Sequence, residues 1–270
     1  MREVRSSARE MMVEVPIPLR ALLGDGVGPA GERVAEALRR AVILRVFPED
    51  RLPPEREMAR LFGVSRITLR QGIRTLRDEG HLRSFAGRGG GTYQVLRPAS
   101  RSWRARIERA WEELMEALEF RVLVEPVAAR LAARRMSAAL AASLRRSIEE
   151  MAASRSLEQF RHADSTFHLL VAGATGNTRL LRAIATARAD FLMWRDRLPA
   201  PFRPGNNVEE HARVLRALLA RDADEAEEAM RAHLESARRD FRREIRSLGL
   251  EPARGRRRGP RSALHGKERA

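Results

Sequence analysis

The chain has 270 residues, a formal net charge of +16 and no cysteine. This length fits two domains with short tails, and the lack of cysteine excludes disulfides and thiolate metal sites. The basic excess favours a polyanionic partner such as nucleic acid, although a solvated surface rich in arginine would give the same charge. Because no apolar stretch approaches the ~18 residues of a spanning helix and no apolar signal region opens the chain, we expect a cytoplasmic protein without a membrane partner.

The first hundred residues divide at prolines and glycines. Residues 1–28 combine proline and glycine with little periodicity, which predicts a flexible arm. A helical pattern from Gly31 to Arg45 ends before Pro48, because the residue before proline disfavours the helical conformation. A short helix is predicted after Pro53, where acidic residues occupy the first turn, and it ends at Gly63.

The next segment has the order of parts that a winged helix-turn-helix requires. A helix is predicted from Arg66 to Glu79, capped by Ser65 and stopped by Gly80. Two short helices joined by a glycine turn are typical of the helix-turn-helix, and the glycines at 87–91 indicate a hairpin or wing. This order favours a DNA-reading element over an ordinary amphipathic helix with solvated arginines.

The exposed side of this third helix carries polar and basic residues that suit the major groove. Leu69, Ile73 and Leu76 share the inward side. The N-terminal residues of such a helix enter the groove, where arginine can bind guanine O6 and N7 and where hydroxyls or amides can reach other base edges. The uncovered face includes Gln71, and we expect Arg88 and Gly89 of the wing to approach phosphates or the minor groove.

The stretches Leu52–Ala59, Gly63–Arg70, Asp78–Gly80 and Gly87–Gly89 resemble the GntR family of winged-helix regulators over about residues 30–97. The resemblance implies a DNA-binding domain, which we place at residues 29–97. It also implies that the DNA contacts are made by Arg56, Ser65, Arg66, Thr68 and Arg70.

The rest of the chain is helical in pattern from about Arg106 to Arg246, with breaks near Ser137, Ser156 and Asp222. Short turns between six or so helices predict an antiparallel bundle. We therefore expect a linker at 98–105, an all-helical effector-binding and dimerisation domain at 106–248 and a basic disordered tail at 249–270. The predicted fold class is mainly α, with a winged helix-turn-helix domain followed by an all-α bundle.

One aspartate and three histidines of this region can meet at one level. Asp164 and His168 are four residues apart on one helix face. His211 and His233 lie at nearly equal distances from the turn at Asp222, on neighbouring antiparallel helices. Neutral imidazoles and one carboxylate suit Zn²⁺, Ni²⁺, Mn²⁺ or Fe²⁺. The alternative is that each histidine is an ordinary surface or core residue.

The stretches Arg121–Ala129, Asp164–His168, Gly176–Asn177, Glu210–His211 and Met230–Leu234 resemble the FCD ligand-binding domain of the FadR subgroup of GntR regulators. The resemblance implies a divalent metal ion held by Asp164, His168, His211 and His233, with a small carboxylate bound beside it. Arg121 is the candidate effector contact, because a guanidinium matches a carboxylate. Its alternative role is a helix-surface ion pair with Glu125.

These observations predict a sequence-specific transcription regulator and not an enzyme. We expect a homodimer on a near-palindromic double-stranded DNA operator, controlled by a small organic acid, with repression as the commoner mode by analogy. Two alternatives stay open at this point. One is a metal-dependent enzyme that uses Asp164 and the histidines, although no further acid or base lies near them in the sequence. The other is a non-specific nucleic-acid-binding protein that uses its basic tails.

Overall fold

The computed structural model of the chain describes residues 16–24, 28–47, 49–87, 90–95, 103–195, 198 and 207–250. The described residues form nine α-helices and one two-stranded sheet, which confirms the predicted mainly helical fold class. Within these ranges, no helix combines the length and the apolar character needed to span a bilayer.

The N-terminal domain contains three helices and a hairpin. They are α1 (Ala30–Ile43), α2 (Glu55–Phe62), α3 (Arg66–Asp78), β1 (Leu82–Phe85) and β2 (Gly91–Gln94). The strands pair antiparallel with Leu82 opposite Gln94, and α2 ends at Gly63, whose φ of 69° lies in the left-handed region that glycine adopts without strain. This arrangement is the helix-turn-helix and wing expected from the sequence.

The C-terminal domain contains six helices within the described residues. They are α4 (Trp103–Ala133), α5 (Ala138–Ala153), α6 (Leu157–Ala174), α7 (Thr178–Arg195), α8 (Asn207–Leu219) and α9 (Ala223–Ser247). The predicted breaks at Ser137, Ser156 and Asp222 are N-caps, since each side chain accepts a backbone N–H of the following helix. The long helix α4 packs against α6, α7 and α9, and α8 packs against α9.

Two predicted domain limits shift in the structure. Helix α4 already begins at Trp103, inside the linker expected at 98–105, and residues 96–102 lie outside the described ranges. At the other end, Gly249 has a φ of 67° and the side chain of Leu250 is buried, so the packed domain extends to residue 250. The basic tail from residue 251 onward lies outside the described residues.

Part of the predicted N-terminal arm belongs to the core. Residues 1–15 and 25–27 lie outside the described ranges, but Leu19–Leu22 form a 3-10 turn whose two leucines are fully buried. Arg40 of α1 donates to the carbonyl of Leu22, and Arg182 of α7 donates to the carbonyl of Ala21. The expectation of a flexible arm is therefore wrong for residues 16–24, because this segment packs between the two domains.

A second contact joins the domains beside α6. Helix α1 ends at Ile43, earlier than the predicted Arg45, and Arg45 adopts a φ of 54°. The carbonyl oxygen of Arg45 lies 2.6 Å from Nδ1 of His162 on α6. Since the carbonyl can only accept, His162 donates this hydrogen bond. The helix that carries Asp164 and His168 is thereby tied to the DNA-binding domain.

Candidate nucleic-acid interface and candidate metal centre

The first turn of α3 is built by a serine cap. Ser65 has an extended backbone conformation, and its Oγ accepts from the backbone N–H of Thr68 at 3.1 Å. The hydroxyls of Ser65 and Thr68 lie 2.8 Å apart. Such a cap satisfies one of the free N–H groups at the helix start and fixes the direction in which the helix leaves the turn.

The opposite side of α3 is locked into the domain core. Leu69 and Leu76 are completely buried, and Gly72 lies against α1. A Cβ at Gly72 would lie 2.9 Å from Cγ1 of Val34 and 3.1 Å from the backbone nitrogen of Ala35. Any larger residue would therefore push α1 and α3 apart, and the close packing leaves only one face of α3 free for a partner.

Arginines surround this free face. Arg66 and Arg70 are exposed on the first two turns of α3, and Arg56 is exposed on α2. Nε of Arg70 donates to Oε2 of Glu55 at 2.7 Å, so Arg70 is held by an ion pair at the surface. A groove of about 820 Å³ between α3 and the hairpin is lined by the further basic residues Arg51, Arg74 and Arg77. This surface can attract phosphates and direct guanidinium groups toward base edges.

Three further residues, Gln71, Arg88 and Gly89, were predicted to contact DNA. The side chain of Gln71 lies against the first turn of α1, since a Cβ at Gly31 would lie 2.7 Å from its Oε1. Arg88 and Gly89 lie outside the described residues, between the turn at Gly87 and the start of β2. The structure thus places Arg56 in the first turn of α2 and Ser65, Arg66, Thr68 and Arg70 at the start of α3, with Gln71 beside α1.

Three histidines from three helices meet in the C-terminal domain. His168 comes from α6, His211 from α8 and His233 from α9. Nε2 of His168 lies 3.3 Å from Nε2 of His211 and 3.3 Å from Nε2 of His233. The three side chains are buried, and their potential ligand atoms all lie within 4.8 Å of one another. His211 and His233 thus lie side by side, as their nearly equal distances from the turn at Asp222 predicted.

The outer nitrogen of each ring has an acceptor. Nδ1 of His168 lies 2.5 Å from a Glu125 oxygen, Nδ1 of His233 lies 2.9 Å from a Glu210 oxygen, and Nδ1 of His211 lies 2.6 Å from the carbonyl of Asn207. These acceptors require that each Nδ1 carries the proton. In the neutral imidazoles the three Nε2 atoms are then bare, and their lone pairs face one point.

Burial keeps two of these rings in the neutral form. Burial, helped by the charge of Arg188, lowers the pKa of His168 to about 4. Burial and the two neighbouring histidines also lower the pKa of His211 well below its usual value. Neutral imidazole is the form that binds a metal ion.

A buried network of charges lies next to the histidines. Oδ1 of Asp164 lies 3.6 Å from Nε2 of His211 and 3.9 Å from Nε2 of His168, and its Oδ2 lies 2.6 Å from Nη2 of Arg188. Burial acts to raise the pKa of Asp164, but Arg188 and the histidines outweigh it and hold the pKa well below the usual range. Asp164 is thus a carboxylate that reaches both the histidines and a guanidinium.

Arg121 pairs with Glu125, as its alternative role supposed. Its Nε donates to Oε1 of Glu125 at 2.7 Å, and its guanidinium lies 5.5 Å from the centre of the Phe191 ring. Both members of the pair are buried, so it does not lie on the helix surface. Burial acts to raise the pKa of Glu125, but Arg121, His168 and Arg188 hold it well below its usual value.

Sequence reasoning missed three members of this site. Arg188 is one of many arginines in the chain and reaches Asp164 only through the packing of α7. Glu125 was considered solely as a partner of Arg121, and Glu210 was part of a motif without a role of its own. Histidines that bind a metal ion usually donate their second ring N–H to a carboxylate or a carbonyl. The predicted ligands His168 and His233 therefore indicated that carboxylates such as Glu125 and Glu210 lie beside them.

The donor set fits a divalent transition ion. Three bare imidazole nitrogens directed at one point repel one another unless a cation or a proton lies between them. Three nitrogen ligands with one open position are typical of zinc and related ions, and Asp164 lies near enough to supply an oxygen. The residues that would hold the ion are Asp164, His168, His211 and His233.

Family models match both domains. The model for bacterial regulatory proteins of the gntR family matches residues 30–92, and the FCD domain model matches residues 116–236. Both matches fall inside the domains described above. The resemblance drawn from the sequence motifs is therefore confirmed for the GntR family and for the FCD domain.

Relatives of the chain are regulators. The putative L-lactate dehydrogenase operon regulatory protein of Escherichia coli K12 is 32% identical over 200 residues, which cover 68% of this chain and 75% of that protein. The putative HTH-type transcriptional regulator RmpR of Mycobacterium gastri is 27% identical over 223 residues, which cover 78% of each chain. The E. coli McbR/YncC structure shares the fold, with a TM-score of 0.51, 15% identity and coverage of 79% and 98%.

These findings separate the function classes that the sequence left open. The relatives are transcription regulators and not enzymes, and the arginine-lined face of α3 occupies the place that a DNA-reading helix requires. The chain belongs to the GntR family of bacterial transcription regulators and joins a winged helix-turn-helix domain to an FCD effector-binding domain.

Proposed function

We propose that this regulator binds a near-palindromic operator as a homodimer in the cytoplasm and is controlled by a small carboxylate beside a divalent metal ion in its FCD domain. The convergence of His168, His211 and His233 carries the proposal for the metal ion. As part of the FadR subgroup proposed from the motifs, it would act as a repressor, which is the commoner mode by analogy. The bound ion would supply a Lewis-acid centre for a ligand oxygen.

An arginine beside the histidines supports an anionic effector. Nε and Nη1 of Arg188 are buried and have no hydrogen-bond acceptor, although Nη2 pairs with Asp164. Leaving buried donors unsatisfied is costly, and a carboxylate ligand would satisfy them. The relative named for an L-lactate dehydrogenase operon agrees with this ligand class, since lactate is a small carboxylate. Arg121, which is already engaged by Glu125, becomes a support for the site.

Metal analysis tests the centre directly. We expect about one divalent ion per chain after gentle purification, and His211→Ala should lose it because one of three nitrogen ligands is removed. His81→Ala, which changes a histidine of the DNA-binding domain, should keep the ion. A chain that neither retains an ion nor binds added Zn²⁺, Ni²⁺ or Mn²⁺ would overturn the proposal.

Thermal unfolding with small acids tests the effector class. A ligand that binds the native state raises the apparent melting temperature. With L-lactate as the probe and Zn²⁺ present, we expect a rise in the wild type that disappears when a chelator removes the ion. An equal rise with and without the ion would show that the carboxylate binds elsewhere.

A groove between α4 and α7 supports the homodimer. It measures about 780 Å³ and is lined by Ala117, Phe120, Ala183 and Ala187 among others. The outward face of α4 continues this apolar surface with Leu123, which is 61% exposed. An apolar face of this kind on a single copy indicates a partner surface.

The charges along the groove suit a second copy of the same chain. Asp190 lies at one end, where burial and the nearby charges of Glu36 and Glu113 raise its pKa. Arg179 lies near the other end, roughly 16 Å away along α7 at ~1.5 Å per residue. A twofold axis that passes midway between these two residues would place Arg179 of each copy over Asp190 of the other, because both copies contribute the same surface in opposite directions.

Sedimentation equilibrium tests this interface. Leu123→Glu should weaken the dimer, because it introduces a charge into the apolar face. Leu219→Glu, at an exposed apolar residue of α8, should leave the dimer intact. Asp190→Arg should also weaken association, and adding Arg179→Asp should restore it. If neither Leu123→Glu nor Asp190→Arg changed the association, the dimer interface would have to lie on another face.

A further inference from the structure

An isoleucine stands at the most exposed point of the DNA-reading helix. Ile67 is 72% exposed, which makes it the most exposed large apolar side chain among the described residues. It is the second residue of α3 and lies between Arg66 and Thr68. A β-branched side chain has no advantage in an exposed helical turn, since it lowers helix propensity and gains no packing.

The helix geometry directs Ile67 straight away from the core. Leu76, which is fully buried, follows nine residues later. At about 100° per residue, nine residues turn the helix through two and a half revolutions, so the two side chains point in opposite directions. Ile67 is also in the first turn, the end of the helix that enters the major groove most deeply.

Apart from Arg66, the polar side chains nearest to Ile67 in the sequence have partners within the protein. The hydroxyls of Ser65 and Thr68 lie 2.8 Å apart, and Ser65 caps the helix. Arg70 is paired with Glu55. Ile67 offers neither donor nor acceptor, so it can recognise only an apolar group. The major groove presents one such group, the C5 methyl of thymine.

We propose that Ile67 is a specificity-determining residue that packs against the C5 methyl group of one thymine in each operator half-site. The contact distinguishes thymine from cytosine, which has no methyl group at that carbon. It removes apolar surface of both partners from water and adds no charge. This inference rests on the proposed binding to an operator and names one base contact within it.

Selected DNA tests the contact without knowledge of the regulated genes. The full-length chain is used to enrich binding sites from random double-stranded DNA, and each thymine of the enriched site is replaced in turn by deoxyuridine. Deoxyuridine differs from thymidine only by the missing C5 methyl group. We expect wild-type affinity to fall about fourfold per half-site at one position, the loss that corresponds to one buried methyl group.

Variants assign that loss to the side chain. Ile67→Ala should bind the thymine and deoxyuridine sites equally, and Ile67→Val should keep part of the difference. Leu219→Ala removes an exposed apolar side chain far from α3 and should retain the full difference. Ile67→Ala should also keep the wild-type salt dependence, because that dependence counts phosphate contacts. Since Ile67 is exposed, these variants should melt at the wild-type temperature.

The outcomes distinguish this inference from the function on which it rests. If no sequence is enriched, the proposed operator binding and the proposed thymine contact are both overturned. If a site is enriched but deoxyuridine has no effect at any position, the contact alone is overturned. The same holds if Ile67→Ala loses as much affinity on deoxyuridine as the wild type does, because the methyl group would then be read by another residue.

Discussion

Two arginine–carboxylate pairs have nearly equal N–O distances, but one is buried and the other is exposed to solvent. Arg188 and Asp164 are 2.6 Å apart in the FCD domain, and their side chains are 1% and 11% exposed. Arg70 and Glu55 are 2.7 Å apart on the DNA-binding domain, and their side chains are 57% and 36% exposed. Distance alone therefore does not reveal what either pair contributes.

The difference in burial determines whether a charged side chain must keep its partner or can exchange it for another. A buried charge that loses its partner is left uncompensated in a medium of low polarity, so the pair in the FCD domain must remain intact. An exposed pair contributes little, because water and salt replace each partner at small cost. The histidine site is thus preorganised, whereas the guanidinium of Arg70 can exchange a carboxylate for DNA.

Breaking the buried pair should have the largest effect. Arg188→Leu leaves Asp164 without its nearest cation, and we expect the free energy of unfolding to fall by about 3–5 kcal/mol. Urea denaturation of the metal-free protein measures this loss. Arg213→Leu breaks the exposed pair with Glu225 and should cost at most about 1 kcal/mol. Equal losses from the two variants would contradict the distinction drawn from burial.

Acid should destabilise the FCD domain through its histidines. His168 has a pKa of about 4 in the folded chain and about 6.5 when unfolded, so the unfolded state binds more protons between these values. The stability that His168 contributes, roughly 3 kcal/mol at ~1.4 kcal/mol per pKa unit, is present above pH ~6.5 and is lost as the pH falls to about 4. His211 has a shift in the same direction.

Chemical denaturation of the metal-free protein between pH 7.5 and 4 measures this dependence. His168→Asn should reduce the slope in that window without abolishing it, because one of the two histidines with a lowered pKa is gone and His211 remains. The lowered pKa values of Asp164 and Glu125 act mainly at lower pH, since those carboxylates lose their contribution progressively from about pH 5 downward. A wild-type curve without slope between pH 6.5 and 4 would contradict the neutral, buried state of the histidines.

Local signals explain why much of the fold followed from the sequence. Ser65, Ser137 and Ser156 cap helices through contacts within four residues, and the turn at Asp222 set the common height of His211 and His233. The order of helix, glycine turn, capped helix and wing was likewise a matter of neighbours in the chain. These features need no knowledge of how distant segments pack.

Contacts between distant segments explain what the sequence did not show. Arg188 reaches Asp164 across 24 residues through the packing of α7 on the domain core. Leu19 and Leu22 are buried because α1 and α7 lie close together, while the prolines and glycines around them suggested an arm. Gln71 lies on the exposed face that the helical wheel predicted, but the wheel did not show that the first turn of α1 lies beside it. Periodicity cannot report such neighbours.

Removing arginines from the exposed surface should affect binding and leave stability unchanged. Arg66→Ala and Arg70→Ala should each weaken operator binding by roughly 1–3 kcal/mol and relax the base preference. The loss should be smaller for Arg70, because its guanidinium must first leave Glu55. Fluorescence anisotropy at fixed salt measures both, with Arg145→Ala on α5 as an exposed control. Unchanged affinity in both variants would mean that another helix reads the groove.

Releasing Arg70 should have the smallest effect and the opposite sign. Glu55→Gln removes the carboxylate that holds Arg70 at 2.7 Å, so the guanidinium is free before DNA arrives. We expect operator binding to tighten by less than about 1 kcal/mol, the value of an exposed pair. Glu57→Gln removes the same charge from the same helix and corrects for general electrostatic attraction. The additional gain of Glu55→Gln should vanish in an Arg70→Ala background, because the effect passes through that guanidinium; equal gains in both backgrounds would mean that Glu55 acts only by its charge on DNA.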